Sequence, residues 1–396
     1  MTGPNQPGAE NGEDIRKIRI LVVCAWPLGG IRTYLKYNYR HFPKDQFDIT
    51  VLAIPTLEAE SFERDLKAED IPVIWSPPKL GRNVLFARVA RLLRKNRFDC
   101  IHSQGFTAAF HVAAANRLRR LPHVLTMHGI VEPRYFRGRS APLKRLFFRR
   151  MLENVTVFHA VGDDMLDHLK QELPKLRSRA ARFVVIRNGI DVDRFSPEAP
   201  SARVELRKTM GCGEGTFVFG YFGRFMPEKG FDCLIKATGI LKRKHGASPD
   251  FRVLAMGSGD YEDWVRKLVA RAGLGDTFVF RPFEAEVENY IKGCDAVVVP
   301  SRHEAYPLLP CEALVAGVPV IASNAMGLRE AVRDTPALVF PVDDIDALAS
   351  AMRTALTDRS IKERFTDFRL TAADHYDVRH SAEQMAALLR ELAATP

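Results

Sequence analysis

The sequence predicts an α/β protein of two doubly wound domains, each built on a parallel β-sheet. Two apolar runs rich in β-branched or aromatic residues, Ile18 to Ala25 and Thr216 to Phe222, are each followed by a glycine-containing turn and a helical stretch, as expected of buried parallel strands. Other strand-like segments alternate with helical stretches of roughly 10–20 residues in both halves, which is typical of this fold class. The length of 396 residues suits two domains of about 100–200 residues each.

The elements are expected in the following order. In the first domain, residues 15–195, the further strands are predicted at Ile49–Ile54, Val73–Trp75, Cys100–His102, Val124–His128, Val155–Val161 and Phe183–Ile186. In the second domain, residues 196–370, they are predicted at Arg252–Met256, Thr277–Phe280, Ala296–Val299, Val318–Ala322 and Ala337–Phe340. The turn-rich segment Asn188 to Pro200 is the predicted junction. A final helix within residues 371–396 is expected to pack back on the first domain. Since ligands of such sheets bind beyond the carboxyl ends of the strands, the cleft between the domains is the expected site.

The composition excludes several other classes of protein. With 46% hydrophobic and 27% charged residues, 26 Gly and 24 Pro, the chain is neither disordered, nor collagen-like, nor a coiled coil. Its apolar runs fall far short of the about 20 residues that span a bilayer. The polar residues 1–14 predict a disordered tail without a signal peptide. The six cysteines, at positions 24, 100, 212, 233, 294 and 311, show no C-x-x-C spacing, which predicts free thiols in a reducing cytoplasm.

The net charge of +10 lies entirely in the first half of the chain. Residues 1–193 hold 32 Lys and Arg against 20 Asp and Glu, whereas residues 194–396 hold 26 against 28. Residues 101–150 contain ten cations and one acid, Glu132. Such a basic half indicates an anionic partner, which leaves nucleic acid, a membrane surface and a phosphorylated substrate as alternatives.

The strongest motif is the segment Ser301 to Ser323, which follows a predicted buried strand. Its helix, expected from Leu309 to Val315, starts at the strand's carboxyl end, so its free N–H groups can meet an anion there. Glu304 and Glu312 can accept hydrogen bonds from hydroxyl groups of one ligand. On spacing alone, two solvated surface acids remain an equal alternative.

A second motif holds two cations, Arg224 and Lys229, after the second domain's first strand. Cations at a helix start oppose the helix dipole unless an anion is bound, and both side chains bind phosphate well. A pair of ordinary surface cations is the alternative. Weaker signals are the turns Gly29-Gly30 and Gly257-Ser258-Gly259, which permit close backbone approach to a ligand. His128, at a strand end before Gly129, has equal standing as a functional and a structural residue.

Together these segments resemble a known family. From Gly29-Gly30 through TMHG, VIRNGID, GRFMPEKG and AMGSGD to PSRHEAYPLLPCEALVAGVPVIAS, the chain is similar to the retaining glycosyltransferases of family four. This resemblance implies the GT-B fold, in which two Rossmann-like domains with parallel sheets face each other across a cleft. It also implies a nucleotide-diphosphate sugar as co-substrate, with no cofactor and no metal. A glycan or lipid-linked acceptor, of the kind used in cell-surface polysaccharide or lipopolysaccharide synthesis, is suggested by the basic segment Arg134 to Met151, which suits a lipid surface.

The resemblance assigns a role to each matching residue. Arg224 and Lys229 would hold the donor diphosphate and stabilise the leaving group, Glu312 would bind the ribose, and Glu304 would contact the transferred sugar. The backbone amides of Leu308, Leu309 and Gly30 would reach phosphate or sugar oxygens. The imidazole of His128 would lie at the reacting face of the donor sugar. Three departures from the family pattern leave the donor base and sugar open, namely Ala305, Met326-Gly327 and Arg281-Pro282.

Several alternatives accompany this interpretation. Asp191-Val192-Asp193 and Asp344-Ile345-Asp346 match a metal-binding D-x-D pattern, although the second is placed where an acid caps a helix. The basic segment Arg134 to Met151 predicts a helix on anionic lipid, on the inner face of the membrane, or a helix packed on its own domain. Competing functions are a sugar-nucleotide epimerase, a glycan phosphorylase, a nucleotide-sugar-binding pseudoenzyme, and a nucleic-acid-binding protein, for which no module signature is present.

Overall fold

The computed structural model describes residues 16–56, 58–77, 83–130, 136–173, 182–196, 200–245, 250–284 and 286–394. They form two domains, each with an all-parallel sheet covered by helices. The predicted N-terminal tail lies outside the described residues. No helix among the described residues has the length and apolar character needed to cross a bilayer. All six cysteines are free thiols.

The N-terminal sheet has seven strands in the order β3-β2-β1-β4-β5-β6-β7. Its strands are β1 (Ile18–Cys24), β2 (Phe47–Ala53), β3 (Val73–Trp75), β4 (Cys100–Gln104), β5 (His123–Met127), β6 (Val157–Ala160) and β7 (Arg182–Val185). Its helices are α1 (Gly30–Arg40), α2 (Ala59–Lys67), α3 (Asn83–Lys95), α4 (Gly105–Ala115), α5 (Ala141–Leu152) and α6 (Asp163–Glu172). The strand order reverses at β1 and β4, where such sheets open a crevice for ligands.

The C-terminal sheet has six strands in the order β10-β9-β8-β11-β12-β13. Its strands are β8 (Phe217–Phe222), β9 (Phe251–Met256), β10 (Phe278–Arg281), β11 (Ala296–Val299), β12 (Val320–Ser323) and β13 (Leu338–Phe340). After the short α7 (Val192–Phe195), the helices are α8 (Pro200–Met210), α9 (Phe231–His245), α10 (Glu262–Arg271), α11 (Glu288–Gly293), α12 (Leu308–Val315), α13 (Leu328–Ala331), α14 (Ile345–Thr357), α15 (Ser360–His375) and α16 (Val378–Ala394).

The last helix, α16, returns to the N-terminal domain. Its apolar face, which includes Met385 and Leu389, is part of the core formed by β1, β2 and α1. Ser381 Oγ donates to Asn38 Oδ1 of α1 over 3.0 Å. Gly189, in the predicted junction, lies so close to the start of α16 that a Cβ there would come within 2.4 Å of Val378 Cα. The junction and α16 therefore connect the domains side by side.

Each of the thirteen predicted strands is present, with ends shifted by a few residues. One such strand is β4, which continues past the predicted end at His102 through Ser103 to Gln104. These polar residues are buried, so their polarity hides the strand from sequence inspection. The helical stretch predicted after Thr216 to Phe222 begins at Phe231, because a 3₁₀ turn, Pro227–Lys229, ends in Gly230 with φ of +64°.

Candidate functional site

The site is built from loops at the carboxyl ends of strands in both domains. The loop after β11 contacts the N-terminal domain, where Asn188 Nδ2 donates to the backbone oxygen of Tyr306 over 3.2 Å and Ala305 packs against the core around β5 and β6. The loops after β1 and β5 carry Gly30 and His128. Every loop that carries a predicted site residue thus follows the carboxyl end of a strand, the edge at which such sheets bind ligands and which here defines the cleft between the domains.

Lys229 and Glu304 form an ion pair in this cleft. Lys229 Nζ lies 2.6 Å from Glu304 Oε1, and both side chains are mostly buried. Ser301 Oγ donates to the same oxygen over 2.7 Å. The pair joins the loop after β8 to the loop after β11. One cation and one carboxylate are therefore held in place before any ligand arrives.

Gly230 allows the loop after β8, which carries Lys229, to lie against the end of β11. With φ of +64°, a Cβ at this position would fall 1.9 Å from the backbone oxygen of Pro300. Only glycine allows this contact between the turn carrying Lys229 and the end of β11. Arg224, in the same loop, is exposed, and its guanidinium forms no ion pair within the described part of the chain. It is available to an anionic ligand.

Glu312 is buried in α12, so it is not a solvated surface acid. Burial raises the pKa of its carboxyl to about 7; the nearby Arg194 guanidinium lowers the pKa and the Glu288 carboxylate raises it. Arg194 itself donates to Glu288 over 2.8 Å. A carboxylate kept from solvent without an ion-pair partner among the described residues is suited to accept hydrogen bonds from ligand hydroxyls.

Helix α12 starts beside these residues without a cap. Pro307 occupies the N-cap and no side chain accepts a hydrogen bond from the first turn. The amides of Leu308 and Leu309 therefore remain available, and the positive end of the helix dipole points to the same place. On the opposite domain α1 begins at Gly30, where a Cβ would meet no atom within 4 Å. Open space therefore lies at the start of α1.

His128 directly follows β5. Its Nε2 lies 2.7 Å from Gln104 Oε1, and the ring of Tyr34 packs against it edge-on with centroids 4.7 Å apart. Burial, with a further contribution from His159, lowers the pKa of His128 to about 3. His128 is therefore neutral at physiological pH and offers one ring nitrogen as a hydrogen-bond acceptor.

A chain of buried hydrogen bonds runs across the sheet behind His128. His159 Nε2 donates to the backbone oxygen of Ile186 over 2.9 Å, so its Nδ1 accepts from Thr126 Oγ1, 2.8 Å away. Thr126 then accepts from His102 Nε2 over 2.6 Å, and His102 Nδ1 accepts from the Tyr39 hydroxyl, also over 2.6 Å. Because the Ile186 carbonyl can only accept, it determines the donor and acceptor of every hydrogen bond in this series. Sequence inspection missed these residues because they lie on separate elements and no local motif joins them.

A loop after β12 packs against the loop that carries Glu304. The amide of Glu304 donates to the backbone oxygen of Met326 over 3.0 Å. Gly327 has φ of +73°, and a Cβ there would lie 2.4 Å from the backbone oxygen of Glu304. This glycine is required by packing, whereas Met326 occupies the departure from the family's Gly-Gly without such a constraint. Arg281, another departure, ends β10 and donates to the backbone oxygen of Thr209 over 3.0 Å.

The same loop is held to the N-terminal domain by a reciprocal clamp. Glu330, which is buried, accepts from the backbone amides of Asp163 and Asp164 over 3.0 Å each, and from Arg187 over 2.9 Å. In return, Asp164 Oδ2 accepts from the amide of Gly327 over 2.8 Å and Asp164 Oδ1 from Arg329 over 2.7 Å. A carboxylate at the start of α6 also complements its dipole. The relative position of the domains is thereby coupled to the loop beside Glu304.

The two D-x-D segments have structural roles in this fold. Asp191 is buried and forms an ion pair with Arg40 over 2.9 Å. Asp344 caps α14, as predicted, by accepting from the amide of Ala347 over 2.9 Å. Among the described residues there is no group of three or more His, Cys, Asp or Glu side chains arranged to hold a metal ion.

Two family models match the chain, one on each domain. The model of Glycosyltransferase Family 4 matches residues 28–194, and that of Glycosyl transferases group 1 matches residues 203–368. The two matched regions cover the loops that carry Gly30 and His128 on one side and Arg224, Lys229, Glu304 and Glu312 on the other.

Curated relatives and solved structures agree with these matches. The chain is 26% identical over 302 residues to D-inositol 3-phosphate glycosyltransferase of Stackebrandtia nassauensis, covering 73% of this chain and 67% of the relative. It is 24% identical to the UDP-Gal:alpha-D-GlcNAc-diphosphoundecaprenol alpha-1,3-galactosyltransferase of Escherichia coli, over 87% and 89% of the two chains. The crystal structure of Anabaena HepE with UDP and glucose superposes with a TM-score of 0.79 at 22% identity, over 94% of this chain and all of that one, which shows the same fold.

The two parallel sheets, the loops that meet in the cleft, and the pair of domain matches lead to one conclusion. The chain belongs to the group 1 glycosyltransferases and has the GT-B fold.

Proposed function

We propose that this protein transfers a sugar, with retention of anomeric configuration, from a nucleotide-diphosphate sugar to a glycan or lipid-linked acceptor. The observation that carries the proposal is the contact of Lys229 with Glu304 beside the uncapped start of α12. A cation, a carboxylate and free amide donors meet there, which suits a ligand with both phosphates and hydroxyls. HepE, whose structure contains UDP and glucose, has the same fold.

The proposed reaction breaks the bond between an anomeric carbon and a diphosphate. Negative charge builds on the leaving phosphate, and Arg224, Lys229 and the amides of Leu308 and Leu309 stabilise it. The acceptor attacks from the same face, and the phosphate takes its proton, so no protein nucleophile is required. Glu312 binds the ribose and Glu304 the transferred sugar. Glu304 also keeps Lys229 in position while the site is empty.

The donor test is thermal stabilisation by UDP-, GDP-, ADP- and TDP-sugars, with EDTA present, on wild type and Glu312→Ala. A ligand that binds only the folded state adds about 2.7 kcal/mol at 100 times its Kd. The expected result is a shift with one nucleotide that is lost in the variant. No shift with any donor would contradict the proposal. NMR of the glycoside product then tests retention, and an inverted product would refute that part.

We also propose that the N-terminal domain contacts an anionic membrane surface, at the inner face of the cytoplasmic membrane, through one side formed by α3, α4 and α5. Helix α4 contacts both of the others. Residues 83–130 and 136–152 contain fourteen Lys and Arg but one acid, Asp99, which is paired with Arg16. Arg134 and Tyr135 of the predicted basic segment lie outside the described residues.

Exposed apolar side chains accompany these cations. Leu118 is 96% exposed, Leu143 is 68% exposed and Phe147 is 57% exposed. A groove of about 570 Å³ between α3 and α4 is lined by Arg91, Arg94 and other residues of both helices. Cations beside exposed Leu and Phe are the pattern of a surface that inserts into the headgroup region. The E. coli relative acts on a diphosphoundecaprenol-linked sugar, which supports a lipid-linked acceptor and a role in surface-polysaccharide synthesis.

Liposome sedimentation tests this contact. Vesicles with phosphatidylglycerol are expected to bind the protein at low salt and to release it at moderate salt, because surface charges are screened. Leu143→Ser with Phe147→Ser is expected to weaken binding. Leu370→Ser, which changes a leucine 85% exposed on α15 of the other domain, is the matched control. Absence of binding at low salt would refute the proposal.

A further inference from the structure

Gln104 ends β4 at the edge of the sheet that faces the cleft, beside His128. Its side chain is almost fully buried, and its Oε1 lies 2.7 Å from His128 Nε2. An amide oxygen only accepts hydrogen bonds, so His128 carries its proton on Nε2. Nδ1 is left unprotonated, as the acceptor of the ring.

The other end of the same amide has no partner. Gln104 Nε2 is buried and donates no hydrogen bond to any described residue. A buried donor without a partner destabilises the folded state, and an apolar side chain of similar size would remove that cost. Stability therefore does not explain a glutamine at this position, whereas its contact with His128 does.

We propose that Gln104 is a positioning residue for sugar transfer: it holds His128 in the tautomer whose Nδ1 accepts a hydrogen bond from a hydroxyl of the bound sugar. This inference rests on the proposed function, in which His128 lies at the reacting face of the donor. The titratable groups that face His128 are Tyr34 of α1, His159 of β6 and His102 of β4. All three are neutral at pH 7, so among the described residues Gln104 alone sets the proton's position through a direct contact.

The first experiment compares Gln104→Met with wild type. We expect kcat to fall at least tenfold, KM for the donor to stay within twofold, and Tm to be unchanged or higher. The matched control is Asn116→Leu at the end of α4, because both ends of that buried amide bind the backbone of Leu121; it should lower Tm and leave kcat unchanged. A Gln104→Met variant with wild-type kcat, or with kcat and Tm falling together, would overturn the proposal.

A second experiment places a charge at the same position. In Gln104→Glu, a carboxylate facing Nε2 raises the pKa of His128, so kcat should decline on the acidic side of a pH profile and recover as pH rises. The wild-type profile should lack this limb, because the pKa of His128 is held at about 3 by burial. Profiles of the same shape in both proteins would contradict the role of Gln104.

Proton NMR of the free, ¹⁵N-histidine-labelled chain reads the tautomer without any substrate. The His128 signal is identified by its loss in His128→Gln. Wild type should show the Nε2–H form, and Gln104→Met a mixture of both tautomers. A wild type that transfers sugar while His128 is in the Nδ1–H form would overturn only the role of Gln104 and leave the proposed function standing. A wild type that has the Nε2–H form yet transfers no sugar overturns the proposed function, and with it this inference.

Discussion

The two domains share one fold but place their polar groups differently. In the N-terminal domain, His102, His123 and His159 are fully buried within the sheet and joined to hydroxyl groups. In the C-terminal domain the space between sheet and helices is filled by phenylalanines such as Phe225 and Phe231, whose ring centroids are 5.1 Å apart. None of the histidines whose side chains are described there is buried.

The C-terminal domain buries charged side chains instead, some at the start of β11, where Arg207 pairs with Asp295, and some at the cleft. Lys229 and Glu304 pair at the rim, and Glu312 lies buried beneath it. The difference shows that a parallel sheet tolerates either core when most of its buried polar atoms are hydrogen-bonded; Gln104 Nε2 and His123 Nδ1 have no partner among the described residues. It also gives the two domains opposite responses to acid, because buried imidazoles resist protonation while a buried carboxyl favours it.

Acidification from pH 7 to pH 5.5 is expected to destabilise the N-terminal domain by about 4 kcal/mol. Burial lowers the pKa of His123 to about 3 and that of His159 to about 4, and holds the pKa of His102 well below its usual range. Unfolded histidine titrates near 6.5, so the stability from each group is present above that pH and is lost as pH falls. The loss accumulates over the one pH unit between 6.5 and 5.5. At about 1.36 kcal/mol per unit for each of these three histidines, it amounts to the stated total of about 4 kcal/mol.

Hydrogen exchange at the two pH values, corrected for intrinsic rates, measures this effect by domain. Protection should fall in β4, β5 and β6. It should be kept or increase in α12, because the pKa of Glu312, about 7, lies above that of an unfolded glutamate. Equal losses in both domains would break the comparison.

Lys229→Ala is expected to lower kcat by about 10²–10³, the usual effect of removing one preorganised group from a developing oxyanion. The variant also leaves Glu304 without its ion pair, so donor binding should weaken as well. The measurement is transfer or donor-hydrolysis kinetics. Lys170→Ala, which removes a largely exposed lysine paired with Asp167 at 3.6 Å, is the control and should keep wild-type rates. If both variants behave alike, the cleft cation has no special role.

Much of this fold could be predicted from the sequence because its strands are continuous apolar runs. Val297 to Val299, for example, has no polar residue to disturb the pattern. The end of β4 was underestimated for the opposite reason: His102, Ser103 and Gln104 are polar but buried, and only their hydrogen bonds across the sheet explain that.

The site could be predicted only where motifs lie in one loop. The loops around Lys229 and Glu304 carry local patterns, and the structure brings them into contact. Glu330 and Asp164 carry none, because each acts on backbone amides more than 160 residues away. The unpartnered Nε2 of Gln104 could not be predicted either, because a sequence does not show which buried donors lack a hydrogen bond.

Breaking the clamp tests whether the domains depend on each other. In Glu330→Gln, an NH2 donor replaces one of the two oxygens and faces the amide of either Asp163 or Asp164, and Arg187 keeps only Asp163 as an ionic partner. The expected loss is about 3 kcal/mol, as for other buried charges removed from their partners, with the single thermal transition separating into two. Calorimetry measures both. The exposed Glu363→Gln on α15 is the control, and an equal Tm in both variants would show that the clamp does not couple the domains.

Glu312→Gln is expected to stabilise the free protein while weakening nucleotide binding. In the folded state the pKa of Glu312 is about 7, against 4.5 for the ordinary carboxyl. Between pH 4.5 and pH 7 this carboxyl ionises in the unfolded chain but stays protonated in the folded one, so the free energy of unfolding falls as pH rises. The neutral amide of glutamine avoids this loss. The gain should be about 1–3 kcal/mol at pH 8 and should vanish below pH 4.5.

Urea unfolding at several pH values measures this gain, and thermal shifts with the nucleotide sugar measure the binding loss. An amide still accepts one hydrogen bond but lacks the charge that strengthens contacts to ribose hydroxyls, so the ligand-induced shift should shrink. A variant that is destabilised at every pH would mean that the carboxylate is held by contacts of its own, as Glu330 is. Gain in stability with loss of binding would mean instead that Glu312 is retained for ligand binding at the expense of stability.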